Sequence, residues 1–408
     1  MLQITSQIPG AGVGAPLRRL RILQIIPNYF PAVRYGGPIR SVHALSKGLV
    51  DRGHEVQVFT SSMDGPNDLP PTLDKPTQID GVQVTYFPVP ALRRLCWCPG
   101  MRTELLKVAS AFDVMHLHSV FRWPTWAAAR VAHAARLPYL LSPRGMLGET
   151  VIRGKSRFAK SAWIRLIEQR TLNESAGVHV TSELEAEEIR ALGLRLPPLI
   201  CVPNGVSWPE EYAPLPQVSW ASRPYALFLS RIDWKKGLDR LIEAWKWVPD
   251  LTLVIAGNDE AGYRSKLEKL IDHHQVRSRI RFVGPVADAQ KWALYANAMM
   301  FVLPSYSENF GNVVAEAMAM GCPVIITPEV GLSSLVSQTG SGLVSDGAPR
   351  AFAQAVCSLL KDPTLRQQMS ERGRSTARRD LSWQSAATRM EDLYLEICSQ
   401  GTKRRSAA

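Results

Sequence analysis

The chain has 408 residues and no long apolar run, since nothing in it approaches the roughly 18 consecutive apolar residues that a membrane-spanning helix needs. Cysteine is also scarce, with six residues spread over the sequence, and only Cys96 and Cys98 lie close together. Their spacing is too short for a zinc knuckle, so no metal site is expected there. Scattered cysteines are typical of a cytoplasmic protein with reduced thiols. Residues 1–20 lack the apolar centre of a signal peptide and are predicted to be a flexible leader.

Acidic residues are the minority among the charges, because 36 Asp and Glu stand against 48 Lys and Arg, a net charge of +12. Such a balance attracts polyanions, such as nucleic acid, an anionic membrane surface or a lipid pyrophosphate. No nucleic-acid-binding motif accompanies the charge, so no nucleic acid partner is expected. Residues 153–170 interleave basic and apolar side chains. This pattern fits a helix lying on an anionic membrane surface or, equally, a helix packed on its own domain with a solvated charged face.

The length and the alternation of apolar runs predict the fold class. A chain this long exceeds one ordinary core and indicates two domains. Apolar runs typical of buried strands alternate with helical periods, seven between residues 21 and 203 and five between residues 225 and 327. The predicted fold is α/β, with two doubly wound Rossmann-like domains facing a central cleft.

Domain boundaries are predicted from the turns and from the last helical period. The turn-rich stretch from Pro203 to Pro224 separates the two halves. We therefore expect a leader (1–20), a first domain (21–206), a second domain (207–383) and a last helix with a basic tail (384–408). Apolar positions in that helix allow it to cross back onto the first domain.

The most informative stretch runs from Ser305 to Val324. A buried parallel strand is predicted just before it, then a loop with Glu308 and Gly311, and then a helix that holds Glu316. A helix start offers free N–H groups and a positive dipole end, which suit a phosphate. Carboxylates beside a phosphate would repel it, so Glu308 and Glu316 are expected to bind hydroxyl groups on either side. A phosphate flanked by hydroxylated groups describes a nucleotide sugar.

Three features fall at carboxyl ends of first-domain strands, where ligands bind in such sheets. Gly36 and Gly37 open a helix, and their backbone could hold a pyrophosphate, although a Gly-Gly pair also serves as a plain turn. His118 ends a strand, in either a ligand-binding or a structural role. Arg144 follows the next strand and could meet a phosphate or an acceptor anion, or form a surface salt bridge.

Two cations open the second domain. Arg231 ends a strand, and Lys236 immediately precedes a helix predicted to start at Gly237. Either side chain alone could simply be solvated. Together, at one strand end and one helix start, they form a diphosphate clamp, which would stabilise the charge that builds on a leaving group.

The combined set resembles the retaining family 4 glycosyltransferases of GT-B fold, also described as glycosyl transferases group 1. The resemblance extends over nearly the whole chain and is carried by Gly36-Gly37, His118, Arg231 with Lys236, Pro203-Asn-Gly-Val206, and Glu308 with Glu316. Met146 and Leu147, after Ser142-Pro-Arg-Gly145, are similar to a bacterial exopolysaccharide branch of that family.

The resemblance implies how a donor would be held. Arg231 and Lys236 would bind the donor diphosphate, helped by the backbone of Gly36 and Gly37, and Glu316 would hydrogen-bond the ribose. The nucleotide would be UDP or GDP. The family needs no metal or other cofactor, which agrees with the missing Asp-x-Asp in this sequence.

The resemblance also implies a reaction. Glu308, with backbone N–H groups of Asn309, Phe310 and Gly311, would hold the sugar hydroxyls, and His118 would touch the transferred sugar near its C6 hydroxyl. A hexosyl unit would pass with retention, by front-face transfer, to a glycan or lipid-pyrophosphate-linked acceptor in polysaccharide synthesis. The enzyme would be cytoplasmic or peripheral on the inner face of the plasma membrane.

Two other functions compete with this one. A nucleotide-sugar 2-epimerase also uses two such domains, but it needs acidic and His groups poised for proton removal, and the Glu-x7-Glu loop is not its usual mark. A non-catalytic module could bind nucleotide or polyanion through its basic face, although the complete clamp speaks against it. The donor sugar, the acceptor, the linkage and the oligomeric state stay open.

Overall fold

The computed structural model describes residues 18–32, 36–69, 75–148, 157–212, 214, 223–259, 262–286 and 288–406. Most of the predicted leader therefore lies outside the described residues. The same is true of residues 153–156 in the basic stretch.

The first sheet has eight strands within these ranges. They are Arg21–Ile25 (β1), Glu55–Ser61 (β2), Thr77–Ile79 (β3), Val82–Phe87 (β4), Val114–His118 (β5), Tyr139–Ser142 (β6), Gly177–Val180 (β7) and Leu199–Cys201 (β8). Their order is β8-β7-β6-β5-β1-β2-β4-β3, and all neighbours are parallel except β3, which runs antiparallel to β4. The sequence did not predict β3, because three residues without a buried side chain carry no apolar signal.

The second sheet has six strands in the described part of the chain. They are Tyr225–Leu229 (β9), Thr252–Ala256 (β10), Ile280–Gly284 (β11), Met300–Leu303 (β12), Val324–Ile326 (β13) and Gly342–Val344 (β14). Their order is β11-β10-β9-β12-β13-β14, and every pair is parallel. Because β9 and β12 are neighbours, the loops that follow them meet at one edge of the sheet. The predicted α/β class with two Rossmann-like domains is confirmed.

Helices connect the strands. In the first half they are Gly37–Asp51 (α1), Pro99–Val108 (α2), Trp123–Ala134 (α3), Arg157–Trp163 (α4), Gln169–Asn173 (α5) and Glu183–Arg190 (α6). In the second half they are Leu238–Ala244 (α7), Arg264–His273 (α8), Asp288–Asn297 (α9), Asn312–Ala319 (α10), Ser333–Thr339 (α11), Pro349–Lys361 (α12), Pro363–Asp380 (α13) and Trp383–Ser406 (α14).

The structure differs from the sequence prediction within the basic stretch and in helices α2, α11 and α13, which were not predicted. The pattern of residues 153–170 fits one helix, whereas the structure has a π-helical segment, Ile164–Glu168, between α4 and α5. Helix α13 was not predicted, because its 18 residues bury only Met369, Gly373, Thr376 and Ala377, so its apolar period is weak.

The last helix belongs to the core of the first domain. Met390, Tyr394 and Ile397 of α14 are buried in the apolar cluster that also contains Ile22 and Val58 of the first sheet. The chain passes between the two sheets at two places that touch, since Val206 N donates to Leu381 O over 2.7 Å. The predicted boundaries 206/207 and 383/384 therefore lie side by side.

Candidate active site

Lys236 is placed by a tight turn against the end of β12. The residues Trp234–Lys236 form one 3-10 turn after β9, capped by Asp233, whose side chain accepts from Lys235 N. Gly237 follows with φ 68°, and a Cβ at this position would lie 1.9 Å from Pro304 O. Only glycine fits this approach, and the approach brings the turn to the loop after β12.

Lys236 Nζ forms an ion pair with Glu308 Oε2, and the two side chains are only 13% and 20% exposed. The backbone of Glu308 is fixed as well, because its N donates to Glu329 O (2.9 Å) and its O accepts from Gly331 N (2.9 Å). The carboxylate is thus neutralised by an ammonium group, which lowers the repulsion that it would exert on a nearby phosphate.

Glu316 is also paired with a lysine. Its Oε1 accepts from Lys291 Nζ over 2.9 Å and its Oε2 accepts from the Tyr295 hydroxyl over 3.1 Å. Burial, with the neighbouring Glu316 carboxylate, raises the pKa of Tyr295 well above its usual value, so the phenol remains a hydrogen-bond donor. Sequence reasoning missed Lys291 and Tyr295. Their spacing of four residues, which puts both on one face of α9, was the available signal.

The start of α10 lies between the two carboxylates. Gly311 is its N-cap with φ 97°, and the helix begins at Asn312. Phe310 is only 3% exposed, so its side chain belongs to the core and only its backbone can serve a ligand. A helix N-terminus suits an anion, and the carboxylates that precede and follow it in sequence are each paired with a lysine.

The first domain meets this helix start directly. Gly36, with φ 88°, caps α1, and a Cβ on Gly37 would lie 3.3 Å from Asn312 Nδ2. Residues 33–35 of the same loop lie outside the described residues. The Gly36-Gly37 turn therefore faces the N-terminus of α10, as a shared donor site requires.

Asn309 joins the Glu308 loop to the first domain. Its O accepts from Ser182 Oγ over 2.9 Å, and its Nδ2 donates to Thr181 Oγ1 over 3.0 Å. The Glu185 carboxylate, 2% exposed, accepts hydrogen bonds from Gly145 N (2.6 Å) and Thr181 N (2.8 Å). The motif Ser182-x-x-Glu185 carries the sequence signature of a helix N-terminus, but nothing local indicated its contact with Asn309.

His118 and Arg144 touch each other at the ends of β5 and β6. His118 is fully buried, with Nε2 2.6 Å from Gln24 Oε1 and Nδ1 3.4 Å from Arg144 Nη2. Arg144 also donates to Asn204 Oδ1 over 2.9 Å. Arg144 is thus held inside the domain rather than in a surface salt bridge, and both ring nitrogens of His118 are occupied.

Arg231 follows β9 and is exposed. It lies at the same sheet edge as the turn that carries Lys236, because both follow the carboxyl end of β9. Ile232 N donates to Asn258 O, just after β10, and holds this segment beside the neighbouring strand. Within the described residues no cluster of three or more His, Cys, Asp or Glu side chains is arranged to hold a metal ion.

Comparison with solved structures confirms the GT-B fold. A sucrose-phosphate synthase from Thermosynechococcus elongatus superposes with a TM-score of 0.73, at 24% identity, covering 94% of this chain and all of the other. The HepE protein of Anabaena, in complex with UDP and glucose, superposes with a TM-score of 0.65, at 18% identity, covering 96% of this chain and all of HepE.

Comparison of sequences gives the class. The family described as "Glycosyl transferase 4-like domain" matches residues 36–205, and "Glycosyl transferases group 1" matches residues 217–376. A D-inositol 3-phosphate glycosyltransferase from Xylanimonas cellulosilytica is 29% identical over 91% of this chain and 93% of its own length. The chain belongs to the group 1 glycosyltransferases, and it is an enzyme of that class.

Proposed function

We propose that this glycosyltransferase moves a hexosyl unit, with retention, from a UDP- or GDP-linked sugar to a glycan or lipid-pyrophosphate-linked acceptor in the synthesis of exopolysaccharide or another cell-surface polysaccharide. The observation that carries the proposal is the Lys236–Glu308 pair beside the N-terminus of α10. The UDP and glucose in HepE support a nucleotide-sugar donor.

When a donor binds, the lysine and the carboxylate of each pair would part, and each would contact the donor molecule or release the other to do so. Lys236, together with Arg231, would take the diphosphate, which frees Glu308 for the sugar hydroxyls. Glu316 would exchange its bonds with Lys291 and Tyr295 for the ribose hydroxyls. Gly36 and Gly37 would approach the diphosphate from the first domain. After these exchanges each carboxylate would still accept hydrogen bonds, from donor hydroxyl groups in place of the lysine, so donor binding leaves neither carboxylate without hydrogen-bond donors.

In the transfer step the bond from the anomeric carbon to the diphosphate breaks, and a bond to the acceptor oxygen forms on the same face. The acceptor proton passes to the leaving diphosphate. We propose that no metal takes part, because Arg231, Lys236 and the helix start already supply positive charge where the diphosphate would gain negative charge.

His118 and Arg144 would act on the sugar and acceptor side. The Arg144–His118 contact is the longer of the two hydrogen bonds to this ring, at 3.4 Å against 2.6 Å for the bond to Gln24. A sugar C6 hydroxyl could therefore replace Arg144 as the donor to His118 Nδ1. Arg144, still held by Asn204, would then direct its freed Nη2 towards a phosphate of the acceptor.

The proposal includes peripheral attachment to the cytoplasmic face of the plasma membrane through residues 153–170. Leu166, in the π-helical segment, is 77% exposed, and Arg165 directly precedes it while Arg170 follows four residues later. No helix within the described ranges is both long and apolar enough to cross a bilayer. An exposed Leu among cations is typical of interfacial binding to anionic lipid.

Vesicle flotation tests the attachment. The enzyme is expected to float with vesicles containing anionic lipid, and Leu166→Glu should abolish this. The matched control is Leu106→Glu on α2, where Leu106 is 56% exposed. Equal flotation with neutral and anionic vesicles, or equal loss in both variants, would rule the surface out.

A donor panel tests the reaction. The purified enzyme is mixed with UDP- and GDP-sugars, with and without EDTA, while nucleotide release and thermal stability are followed. One donor should stabilise the fold and be hydrolysed slowly, unaffected by EDTA. Stabilisation with no turnover of any donor, even with acceptor extracts, would favour a binding module, and solvent exchange at the sugar C2 would favour an epimerase.

A further inference from the structure

A continuous chain of seven hydrogen bonds crosses the interior of the first domain, from the Arg144 guanidinium to the backbone carbonyl of Val202. Apart from Arg144 and the Val202 carbonyl, its members are side chains that are at most 3% exposed. In order, the chain runs through Arg144, His118, Gln24, Tyr394, His116, Ser142, His179 and Val202 O.

The Val202 end fixes the direction of the bonds. A carbonyl only accepts, so His179 Nε2 carries the hydrogen that it donates over 2.9 Å. His179 Nδ1 then accepts from the Ser142 hydroxyl over 2.7 Å. The Ser142 oxygen in turn accepts from His116 Nε2–H over 2.7 Å. His116 Nδ1 is left to accept from the Tyr394 hydroxyl, also over 2.7 Å.

The Arg144 end fixes the same direction independently. A guanidinium only donates, so His118 Nδ1 accepts from Arg144, and His118 Nε2–H donates to Gln24 Oε1 over 2.6 Å. The Gln24 amide then donates to the Tyr394 oxygen over 3.3 Å. The two halves agree at Tyr394, whose oxygen accepts one bond and whose hydrogen makes the next.

This pattern holds only if His116, His118 and His179 are all neutral and all carry their hydrogen on Nε2. The charged and titratable groups that face them are Arg144, Tyr394 and the rings themselves, with Glu185 beyond Arg144. Burial, reinforced by the positive charge of Arg144, lowers the pKa of the three rings below the usual range.

Arg144 is held at the cleft end of the chain from two more sides. Its second guanidinium nitrogen donates to Asn204 Oδ1 over 2.9 Å, and the next residue, Gly145, donates its N–H to Glu185 Oε1 over 2.6 Å. Arg144 itself has φ 56°, and such a conformation persists only where the surroundings hold it. Its geometry is therefore imposed by its contacts.

We propose that Tyr394 is a positioning residue, which closes this chain from the last helix and so fixes the His118 ring and the Arg144 guanidinium at the cleft. The proposal rests on the proposed function, because it makes the C-terminal helix set the orientation of the residue that would meet an anion of the donor or acceptor. Of the residues joined by these hydrogen bonds, Tyr394 alone lies in α14, and the others lie in the first domain.

The first test needs no activity. Long-range proton–nitrogen correlation spectra of the full-length, 15N-labelled enzyme report the tautomer and charge of each of its eight histidines. Single His→Gln variants assign the three rings. We expect His116, His118 and His179 to give the neutral Nε2–H pattern from pH 8 to pH 5. An Nδ1–H tautomer or an imidazolium at any of the three rings would contradict the proposed pattern of hydrogen bonds.

The second test removes one hydroxyl. Tyr394→Phe should shift the ring resonances of both His116 and His118, and it should lower kcat/KM for transfer by roughly 10- to 100-fold, as misplacement of a positioned group does. The matched control is Tyr139→Phe, which removes a buried hydroxyl bonded to Thr171 O in the same domain but outside the chain. It should leave the His resonances and the transfer rate unchanged.

The outcomes separate this proposal from the proposed function. If no donor is turned over, the tautomers and the response of the rings to Tyr394→Phe still decide whether the chain exists and couples. Unchanged His118 resonances in Tyr394→Phe, or the same loss of transfer in Tyr139→Phe, would overturn the role of Tyr394.

Discussion

At the residue scale, the site consists of two carboxylates that are each held by a lysine. Lys236 pairs with Glu308, which precedes α10, and Lys291 pairs with Glu316, which lies within α10. All four side chains are at most 20% exposed, so these pairs are screened less by salt than surface pairs are. Each pair thus holds a cation suited to a phosphate next to a carboxylate suited to a hydroxyl group, and a nucleotide sugar carries both kinds of group.

Lys236→Ala tests the clamp. Losing a fixed cation at a leaving group typically costs about 3–4 kcal/mol, or roughly 10²–10³-fold in kcat. The adjacent Lys235, whose Nζ lies 5.9 Å from the Trp234 ring centroid, provides the matched control Lys235→Ala. Near-normal turnover in Lys236→Ala, measured by nucleotide release, would remove Lys236 from the catalytic machinery.

Glu308 and Glu316 are expected to fail in different ways. Glu308→Ala should lose transfer while the nucleotide still binds. Glu316→Gln should mainly raise the donor KM, because hydrogen bonds to a charged group contribute about 1.5–3 kcal/mol. Steady-state kinetics and nucleotide titration separate the two, and a collapse of nucleotide affinity in Glu308→Ala would contradict the role given to it.

At the element scale, short turns rather than long helices place the cations. The 3-10 turn Trp234–Lys236 can approach β12 only because Gly237 has no side chain. The tie between Asn309 and the turn at Thr181 and Ser182 likewise joins two loops. Loops on a rigid scaffold are where functional residues concentrate.

Gly237→Ala tests this placement. A Cβ would meet Pro304 O at 1.9 Å, so the turn must shift, and the free energy of unfolding should fall by clearly more than the roughly 1–2 kcal/mol of a left-handed alanine. Gly193→Ala is the matched control, since Gly193 has φ 64° and no atom within 4 Å of its Cβ. Equal changes in the urea midpoints of the two variants would contradict the tight approach.

Local patterns predicted much of this architecture, but long-range partners were out of their reach. The strands around Lys236 and Glu308 were predictable because apolar runs and Gly residues mark them in sequence. The partner of Gln24, Tyr394, lies 370 residues away, and no periodicity connects them. Helix α13 was missed for a local reason, because a largely polar helix buries too few side chains to show a period.

At the scale of the whole molecule, the last helix is tied to the first domain by ionic and polar contacts as well as apolar packing. Glu391 of α14 is 1% exposed, pairs with Arg52 and accepts from His54 Nε2 over 3.0 Å. Breaking a buried pair by removing one partner typically costs about 3–5 kcal/mol. Glu391→Ala should therefore lower the free energy of unfolding by that amount, measured by urea denaturation.

The control for Glu391→Ala is Glu396→Ala on the same helix. Glu396 is exposed, and it accepts a hydrogen bond from Gln400 over 3.0 Å. This variant should unfold at nearly the same urea concentration as the unmodified enzyme. Similar losses in both variants would show that the helix is held by its apolar face alone.

Stability should fall in mild acid. The pKa of His116, of His118 and of His179 is lowered in the fold, that of His179 to about 3. Below about pH 6.5 the rings bind protons in the unfolded state but stay neutral in the folded state. The free energy of unfolding therefore decreases as pH falls, by up to about 1.4 kcal/mol per ring and pH unit. Urea midpoints at pH 7, 6 and 5 measure this loss.

A single replacement isolates one ring. His179→Gln can keep both partners, since an amide oxygen can accept from Ser142 and an amide N–H can donate to Val202 O. The free energy of unfolding of this variant should fall less between pH 6 and pH 5 than that of the unmodified enzyme. The difference should equal the contribution of one ring, up to about 1.4 kcal/mol. An unchanged slope would mean that His179 binds protons alike in the folded and unfolded states.

The place of Tyr394, 370 residues after Gln24, has a consequence for how the enzyme is made. A ribosome synthesises all the strands of the first sheet before it synthesises Tyr394, whose hydroxyl joins Gln24 to His116. Until then the interior of that domain has two polar side chains without their native partner. The first half, expressed as a separate fragment, should therefore need the missing helix, supplied as a second polypeptide, before it becomes a well-packed domain.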